Sequence, residues 1–363
     1  MKIFVVAGGS GGHIFPAIAL ADELSFQSAI EIVFVASRRR LDKKILAGKN
    51  YKKIFLSVNP MPYGLNLKAP LFLVKLLFDF VVAAFILIKE KPRVVVGFGG
   101  YTAGTVLMLA KILGARTFVH EQNLVPGRAN RILDKIVDCI CVGFRESNKY
   151  FKNPNIIFTG NPLRQSMTQQ DKEREYGYFN LQAGKFTLLV MGGSQGARSL
   201  NRLAQEAISR LSIDVRENIQ VVHITGDKDF EAISFNYRTK GVRAKVFSFI
   251  DDIHRAYKIT DLAISRSGAS AIFELSLYQR PMVLVPYPFK KNNQRFNAEF
   301  FEKCGAAICR EEDTLGGTGL CDLIGSLVRD PAKLKKLGEG ARKLSCPDAA
   351  LKLKRAVMGE VSD

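Results

Sequence analysis

Cysteine is sparse and shows no pairing pattern: Cys139, Cys141, Cys304, Cys309, Cys321 and Cys346 form no C-x-x-C unit. That argues against a disulfide framework, and the N-terminus has neither the charged n-region nor the cleavage site of a secretory signal, so the expected compartment is a reducing cytoplasm. Long apolar runs are also missing. The nearest, PLFLVKLLFDFVVAAFILIK at residues 70–89, is broken by Lys75 and Asp79. Its longest charge-free part, Phe80 to Ile88, falls far short of the ~20 residues of a membrane span. Acidic side chains are in deficit, 34 against 53 basic ones, for a net charge of +19. The excess calls for an anionic partner, and nucleic acid, an anionic membrane surface or a phosphorylated substrate would each serve. No RNP-like aromatic motif, zinc-finger spacing or Arg/Gly tail is present, so nucleic acid is not expected.

Two nucleotide-binding signatures are absent as well. No glycine-rich turn is followed by Lys-Ser/Thr, which excludes a P-loop. Gly9 and Gly11 begin a G-x-G-x-x-G, but Ile14 stands at the third glycine, and Ala36-Ser37-Arg38 takes the place of the acidic ribose ligand of an NAD site. Arg38 to Arg40 suit a 2′-phosphate, which leaves an NADP enzyme as an alternative.

What is present is a long, apolar chain: 363 residues, 47% hydrophobic, enough for two cores. Runs rich in Val, Ile and Phe (IFVVA, EIVFVA, RVVVGFGG, RTFVHEQN, then FTLLVMGGS, IQVVHITG, AKVFSFI, DLAISRSG, RPMVLVPY) alternate with helical patterns. That alternation predicts α/β architecture, parallel sheets covered by helices on both faces. A polar stretch, Gln165 to Lys185, follows GNPLR and places a domain boundary near Arg164. The halves resemble each other, since VVAGGSGGH in the first has its counterpart in LVMGGSQGA in the second. Each reads as strand, Gly-Gly-Ser turn, helix. Ligands of doubly wound sheets lie outside the C-terminal strand ends, so two such domains predict a cleft with one phosphate-friendly turn on each wall.

On a helix turning about 100° per residue, Lys75, Asp79 and Lys89 share a sector of roughly 80°, a narrow polar stripe on an apolar cylinder. Two readings stay open: a helix packed on a sheet, or one whose surplus apolar face dips into a bilayer. Arg38, Arg39, Arg40, Lys43, Lys44, Lys52 and Lys53 lie nearby in sequence and would attract anionic lipid.

In order along the whole chain stand GGSGGHIFPAIALA, GFGGY, HEQN, GNPLR, GGSQGAR, FIDDI, SRSGA with Glu274 behind it, and NNQRFNA. In order and spacing the set resembles the MurG family, the bacterial N-acetylglucosaminyltransferases of peptidoglycan synthesis. The resemblance implies a GT-B fold, two Rossmann-like doubly wound domains with an interdomain cleft. It implies an acceptor and membrane-associating domain at 1–164, a UDP-GlcNAc-binding domain at 165–340, and a C-terminal helix at 341–363, around PDAALKLKRAV, returning to the first domain. The implied reaction is inverting transfer of GlcNAc from UDP-GlcNAc to the C4 hydroxyl of MurNAc in undecaprenyl-pyrophosphoryl-MurNAc-pentapeptide, lipid I to lipid II. No cofactor or metal is implied, and the enzyme would be peripheral on the cytoplasmic face of the inner membrane. A related transferase acting on diacylglycerol is the alternative.

An inverting transfer needs a base for the acceptor hydroxyl and positive groups for the departing diphosphate. His13, at a helix N-terminus that favours its neutral form, suits the first task. Its turn, with Ser10, Gly11 and Gly12, would seat the lipid pyrophosphate, although capping the helix or binding pyrophosphate is an open alternative for His13 itself. His120 and Glu121 form a second candidate acid–base pair. The resemblance carries over Asn123 as a donor-sugar contact, and Arg164 and Ser194 as diphosphate or nucleotide contacts. It carries over Ile250 for the uracil, Ser267, Gly268, Ala269 and Ser270 as an anion seat, Glu274 for the ribose and Gln294 for the sugar hydroxyls. Arg266 is expected nearby. Departures from the family pattern fall at Ser10, Ala103, Thr105, Ala271 and Asn292. Asp227-Lys228-Asp229 spells a D-x-D, and is read as a solvated turn rather than a metal site.

Overall fold

The structure, a computed structural model, describes residues 1–57, 69–164, 172–193, 196–289 and 293–360, the side chains of 69–76 excepted. The chain divides into two compact units, one formed by Met1–Arg164 with Cys346–Asp363, the other by Gln165–Ser345.

In the first unit the strands are β1 (Lys2–Val6), β2 (Glu31–Ser37), β3 (Lys52–Leu56), β4 (Val94–Gly97), β5 (Arg116–Glu121), β6 (Cys139–Val142) and β7 (Ile156–Phe158). They pair in the order β3-β2-β1-β4-β5-β6-β7, parallel throughout. Its helices are α1 (Gly11–Ser25), α2 (Arg40–Leu46), α3 (Ala69–Glu90), α4 (Gly100–Ile112) and α5 (Arg128–Leu133). The central strands are buried along almost their whole length, as expected where helices cover both faces of a parallel sheet. One face packs Ile3, Val5 and Val96 against Ile14, Ile18 and Leu353, the other packs Phe4, Val6 and Val95 against Ala83, Leu87 and Leu107.

The second unit repeats the plan with α6 (Lys172–Phe179), β8 (Phe186–Met191), α7 (Arg198–Ser209), α8 (Ile213–Asn218), β9 (Ile219–Ile224), α9 (Phe230–Thr239), β10 (Ala244–Phe247), α10 (Ile253–Ile259), β11 (Leu262–Ser265), α11 (Ala269–Leu277), β12 (Met282–Leu284), α12 (Gln294–Lys303), β13 (Ile308–Cys309), α13 (Glu312–Val328) and α14 (Pro331–Leu344). Its parallel order is β10-β9-β8-β11-β12-β13. In each sheet the winding reverses beside the first strand, between β1 and β4 and between β8 and β11. That is where the strand ends open a crevice for ligands.

The chain re-enters the first unit at Cys346, and α15 (Ala349–Met358) packs on α1. Leu353, Ala356 and Val357 join its core, and Lys354 pairs with Glu23 at 3.2 Å.

Helix α3 packs on the sheet, as the first reading of its sequence has it, and also leaves a surplus apolar face exposed. Ala83 and Leu87 are buried in the core, whereas Leu77, Phe78, Val81, Phe85 and Ile88 stand 56% to 67% exposed. These recur at helical three- and four-residue spacing and make one apolar stripe facing water. The polar stripe is corrected in one respect: Asp79 is 8% exposed and turned inward, and the Lys75 side chain lies outside the described residues. Among the described residues no helix is long and apolar enough to cross a membrane.

Candidate functional site

In the first unit the turn after β1 is pinned from both sides by residues of the β2–α2 connection and of α2. The Asp42 carboxylate accepts from the Gly9 N–H at 3.0 Å, and the Arg39 guanidinium donates to the Gly9 carbonyl at 3.1 Å. Asp42 is itself held by the Ser37 hydroxyl and N–H. Asp42 does not stand out in the sequence, since an Asp among basic residues reads as surface, and Arg39 reads there as a phosphate or lipid contact rather than an anchor.

His13 lies in the first turn of α1, half-buried, with Nδ1 3.3 Å from the Gly8 carbonyl and 3.4 Å from the Ser10 hydroxyl. A carbonyl only accepts, so a bond to Gly8 requires the proton on Nδ1 and leaves the Nε2 lone pair open. Burial pushes the imidazole pKa below its usual 6.5, partly opposed by the Gly8 carbonyl and the charges of Glu121 and Asp42. Gly99, with φ 89°, borders Nε2: a Cβ there would stand 3.4 Å from that atom. A side chain at Gly99 would crowd the nitrogen.

The second candidate pair is tightly held by its surroundings. His120 is fully buried at the end of β5, its Nε2 3.0 Å from the Gly160 carbonyl and its Nδ1 3.2 Å from the Gln122 amide nitrogen. Both nitrogens are engaged, and burial pulls its pKa down to about 4. The ring is a neutral strut between β5 and the Gly160 turn. Glu121, 1% exposed, accepts from the Asn123 N–H and amide through Oε1, and from the Gly127 N–H and the Asn130 amide through Oε2. Four donors at 2.8 to 3.0 Å saturate that carboxylate and fold residues 121–130 into one loop. Asn123 is thereby fixed, half-buried, at the C-terminal edge of the sheet. Arg164 closes this unit, its guanidinium 4.5 Å from the ring of Phe15 on α1.

Two of the family departures concern packing. Ala103 and Thr105 on α4 are 0% and 9% exposed, so both face the interior rather than the open turn.

In the second unit Ser194 lies outside the described residues, as does Asn292. The residues that follow Ser194 are described from Gly196 to Phe289. A Cβ on Gly196, whose φ is 74°, would collide with the Thr225 carbonyl. Asn201 donates to that carbonyl and to Asp229, both at 2.8 Å, and its oxygen meets His223 Nε2 at 3.2 Å. His223 completes the chain on the Tyr237 hydroxyl at 2.9 Å, fully buried, with its pKa lowered to about 3. Asp229 of the D-x-D is thus occupied by Asn201 and by Arg198 at 3.7 Å. Among the described residues no three His, Cys, Asp or Glu side chains are grouped to hold a metal ion.

The turn after β11 gathers most of the remaining candidates. Gly268 precedes α11, and Ala269, Ser270 and Glu274 lie on that helix, each below 10% exposed. The Ser267 hydroxyl donates to the Gln294 carbonyl at 2.8 Å, and Gln294 Oε1 accepts from the Tyr287 N–H at 3.2 Å, which joins α12 to the turn. Tyr257, fully buried on α10, donates to Glu274 Oε2 at 2.8 Å. Ile250, 9% exposed, sits just ahead of that helix. Arg266 is a strut: its guanidinium donates to the Val285 and Pro286 carbonyls and the Ser199 hydroxyl, and pairs with Glu312. An arginine so engaged braces the turn instead of meeting a ligand. Tyr257, Asn130 and Asn201 are the supporting residues that no sequence motif singles out.

Residues 3–142 match the glycosyltransferase family 28 N-terminal domain, and residues 187–353 its C-terminal domain. A protein of Myxococcus xanthus is 35% identical over 359 residues, covering 97% of this chain and 91% of its own. One of Desulfotalea psychrophila is 36% identical, covering 97% and 95%. Both bear the name UDP-N-acetylglucosamine--N-acetylmuramyl-(pentapeptide) pyrophosphoryl-undecaprenol N-acetylglucosamine transferase. Among solved structures, Acinetobacter baumannii MurG superposes with a TM-score of 0.77 at 24% identity, covering 99% of each chain. A UDP-GlcNAc 2-epimerase from Neisseria meningitidis bound to UDP-GlcNAc gives 0.71 at 12% identity over 99% of this chain and 100% of that one. These two likenesses concern the fold.

Proposed function

The chain belongs to the MurG family of glycosyltransferases, with the GT-B fold, and from that premise we infer how its residues carry out the family's reaction. It transfers N-acetylglucosamine from UDP-GlcNAc to lipid I, undecaprenyl-pyrophosphoryl-MurNAc-pentapeptide, inverting the anomeric centre and forming lipid II. Full-length identity of about 35% to curated transferases carries this reading.

His13 is the proposed base. With its Nδ1 proton turned to Gly8, Nε2 is the atom that takes the proton of the C4 hydroxyl. The burial-lowered pKa keeps the ring neutral and proton-accepting near pH 7. Ser10, Gly11 and Gly12 present the N-terminus of α1, with its positive dipole end, to the acceptor pyrophosphate, beside the hydroxyl that reacts.

The donor set is proposed as follows. Ser267, Gly268, Ala269 and Ser270, at the N-terminus of α11, take the UDP diphosphate with Ser194 and Arg164, whose planar fork suits phosphate oxygens. Glu274, held through Oε2 by Tyr257, takes the ribose hydroxyls with its carboxylate. Ile250 meets the uracil through its backbone, and Gln294 and Asn123 meet the sugar. As charge builds on the departing diphosphate, the helix dipole and the guanidinium stabilise it where it develops.

The enzyme works as a peripheral protein on the cytoplasmic face of the inner membrane. The exposed stripe of α3 supports this, being an apolar surface left uncovered among the described residues of a chain with net charge +19. The deciding experiment is transfer of labelled sugar from UDP-GlcNAc to a short-chain lipid I analogue, with UDP-glucose competing and EDTA in excess. Inverted, β-linked GlcNAc product is expected. Tight donor binding without product would withdraw the acceptor assignment and favour the diacylglycerol alternative.

A further inference from the structure

The second unit opens with α6, inside the polar stretch that reads from sequence as a boundary. A glutamate there is expected in water, yet Glu175 is 4% exposed. Its carboxylate takes two cations from α10: Lys258 Nζ lies 3.1 Å from Oε1, and Arg255 Nη1 lies 3.5 Å from Oε2. Lys258 is itself buried, and the Arg255 guanidinium lies over the Tyr178 ring of α6 at 4.3 Å. Residues 80 and 83 positions apart in the chain are thus joined by a buried charge cluster. Taking charges out of water is costly, and an apolar pair of similar volume often holds two elements together as well or better. What an apolar pair lacks is direction. Leucine against methionine accepts many rotations, whereas a carboxylate bonded through both oxygens accepts few. The cluster therefore fixes how α10 is turned more than how firmly it is held.

The turn of α10 matters because of what its other side carries. On a helix turning about 100° per residue, Tyr257 points about 100° away from Lys258 and about 160° away from Arg255. Its hydroxyl donates to Glu274 Oε2 at 2.8 Å. Arg255 also pairs at 3.5 Å with Asp252, the residue just ahead of the helix, which ties the chain beside Ile250 into the same cluster. With seven residues, α10 falls short of the ~12 at which an isolated helix begins to persist, so its orientation comes from these side contacts. We propose that Glu175 is a positioning residue for the nucleoside of the donor. It sets the rotation of α10, and through α10 it aims the Tyr257 hydroxyl that orients Glu274 and the backbone of Ile250. The proposal rests on the reading of Glu274 and Ile250 as the ribose and uracil contacts, and adds the element that aims them.

The test is titration of the full chain with UDP and 2′-deoxy-UDP, with Tm measured on the same preparations. The wild type should favour UDP by about tenfold or more, the worth of a hydrogen bond to a charged group. Glu175→Leu with Lys258→Met replaces the buried pair by apolar groups of similar volume, so Tm should hold or rise. The preference for UDP should nevertheless fall below about threefold, and the KM for UDP-GlcNAc should rise about fivefold with kcat little changed. A pair that only holds the helices together would leave both at their wild-type values. Glu175→Gln, which keeps the shape and one acceptor, serves if the double variant does not fold, and should lower the preference about threefold. In a Tyr257→Phe background Glu175→Gln should add nothing to the lost preference, because Glu175 acts through that hydroxyl. The positioning role is overturned if the folded double variant or Glu175→Gln discriminates as the wild type does, or if the losses from Glu175→Gln and Tyr257→Phe simply add. If the wild type itself binds UDP and 2′-deoxy-UDP alike, the ribose role of Glu274 fails, and the positioning role falls with it.

Discussion

The two glycine turns share a Gly-Gly-Ser sequence and a place after the first strand of their sheets, yet each is built over a different kind of support. The first has an ionisable pair, Asp42 below and Arg39 beside it, and a histidine with one nitrogen held by Gly8 and the other open. The second rests on a sealed relay, Asn201 to His223 to Tyr237, in which both imidazole nitrogens are bonded and no part is exposed. The same turn sequence is therefore flanked by a titratable histidine in one unit and by a sealed, neutral relay in the other. What separates them is whether the nearby histidine keeps a free lone pair.

The sharpest way to break that contrast is at His13. His13→Ala should lower kcat by about a hundred- to ten-thousandfold, the usual worth of a positioned base, with the KM for UDP-GlcNAc little changed. Because the neutral ring is the active form and burial holds its pKa below 6.5, the wild-type rate should fall on the acid side only below the ordinary histidine range. Steady-state kinetics across pH, with wild type and variant in parallel, check both points. A variant that turns over normally would return the base role to an unassigned group.

The sealed histidines should instead govern stability. His120 and His223 have folded pKa values of about 4 and about 3, below the ordinary 6.5, so the unfolded chain binds more protons as pH falls. Each contributes stability that is complete above about pH 6.5 and is lost on acidification through its folded pKa, of the order of 3 kcal/mol for a shift of this size. Tm should therefore drop steeply between about pH 6.5 and pH 4. His223→Gln should flatten the drop by about one proton's linkage, and an unaltered slope would separate His223 from acid unfolding.

How much of this was legible in the sequence follows from range. The alternation of Val- and Ile-rich runs with helices gave both sheets, because a parallel strand buried on both faces must be apolar along its length. The ligand-side turns were legible because glycine, serine and their spacing are local. His120 was not, since its role depends on the Gly160 carbonyl, forty residues away. Tyr257 reads as one more apolar position of a helix until α11 brings Glu274 against its hydroxyl. Arg164 is the last residue of the first unit, as the boundary near it predicts, but its stacking on Phe15 depends on a ring far away in the chain. Asp79 looked like part of a solvated stripe because periodicity gives the face of a helix, but not which face the sheet covers.

A smaller effect is expected within the second unit's donor set. Glu274→Ala should weaken UDP-GlcNAc binding by about 2 kcal/mol, the scale of a lost hydrogen bond to a charged group, and leave the KM for the acceptor unchanged. Tyr257→Phe removes the bond that orients the carboxylate and a weak contact with Met191 Sδ at 3.7 Å, so about 1 kcal/mol is expected. Titration with UDP and 2′-deoxy-UDP distinguishes orientation from general loss of packing. If Tyr257 positions Glu274, the variant should bind the two nucleotides more alike than the wild type does. Equal weakening of both would make Tyr257 a core residue and nothing more.

The least effect belongs to Asp227. The D-x-D after β9 lies close in sequence to the cradle of the second turn, and if it took a metal, that turn would be a charged site like the first. Its two carboxylates differ in what they do. Asp229 accepts from the Asn201 amide at 2.8 Å and faces Arg198, so it belongs to the buried support and its loss should loosen the turn. Asp227 has no such part in the relay. Asp227→Ala should therefore leave kcat/KM within about twofold and Tm within about a degree, as exposed positions do. Asp229→Asn, which keeps an acceptor for the Asn201 amide, should cost less than Asp229→Ala. If Asp227→Ala abolished turnover and magnesium restored part of it, the second turn would be a metal-dependent site, and the contrast between a titratable turn and a neutral one would have to be redrawn.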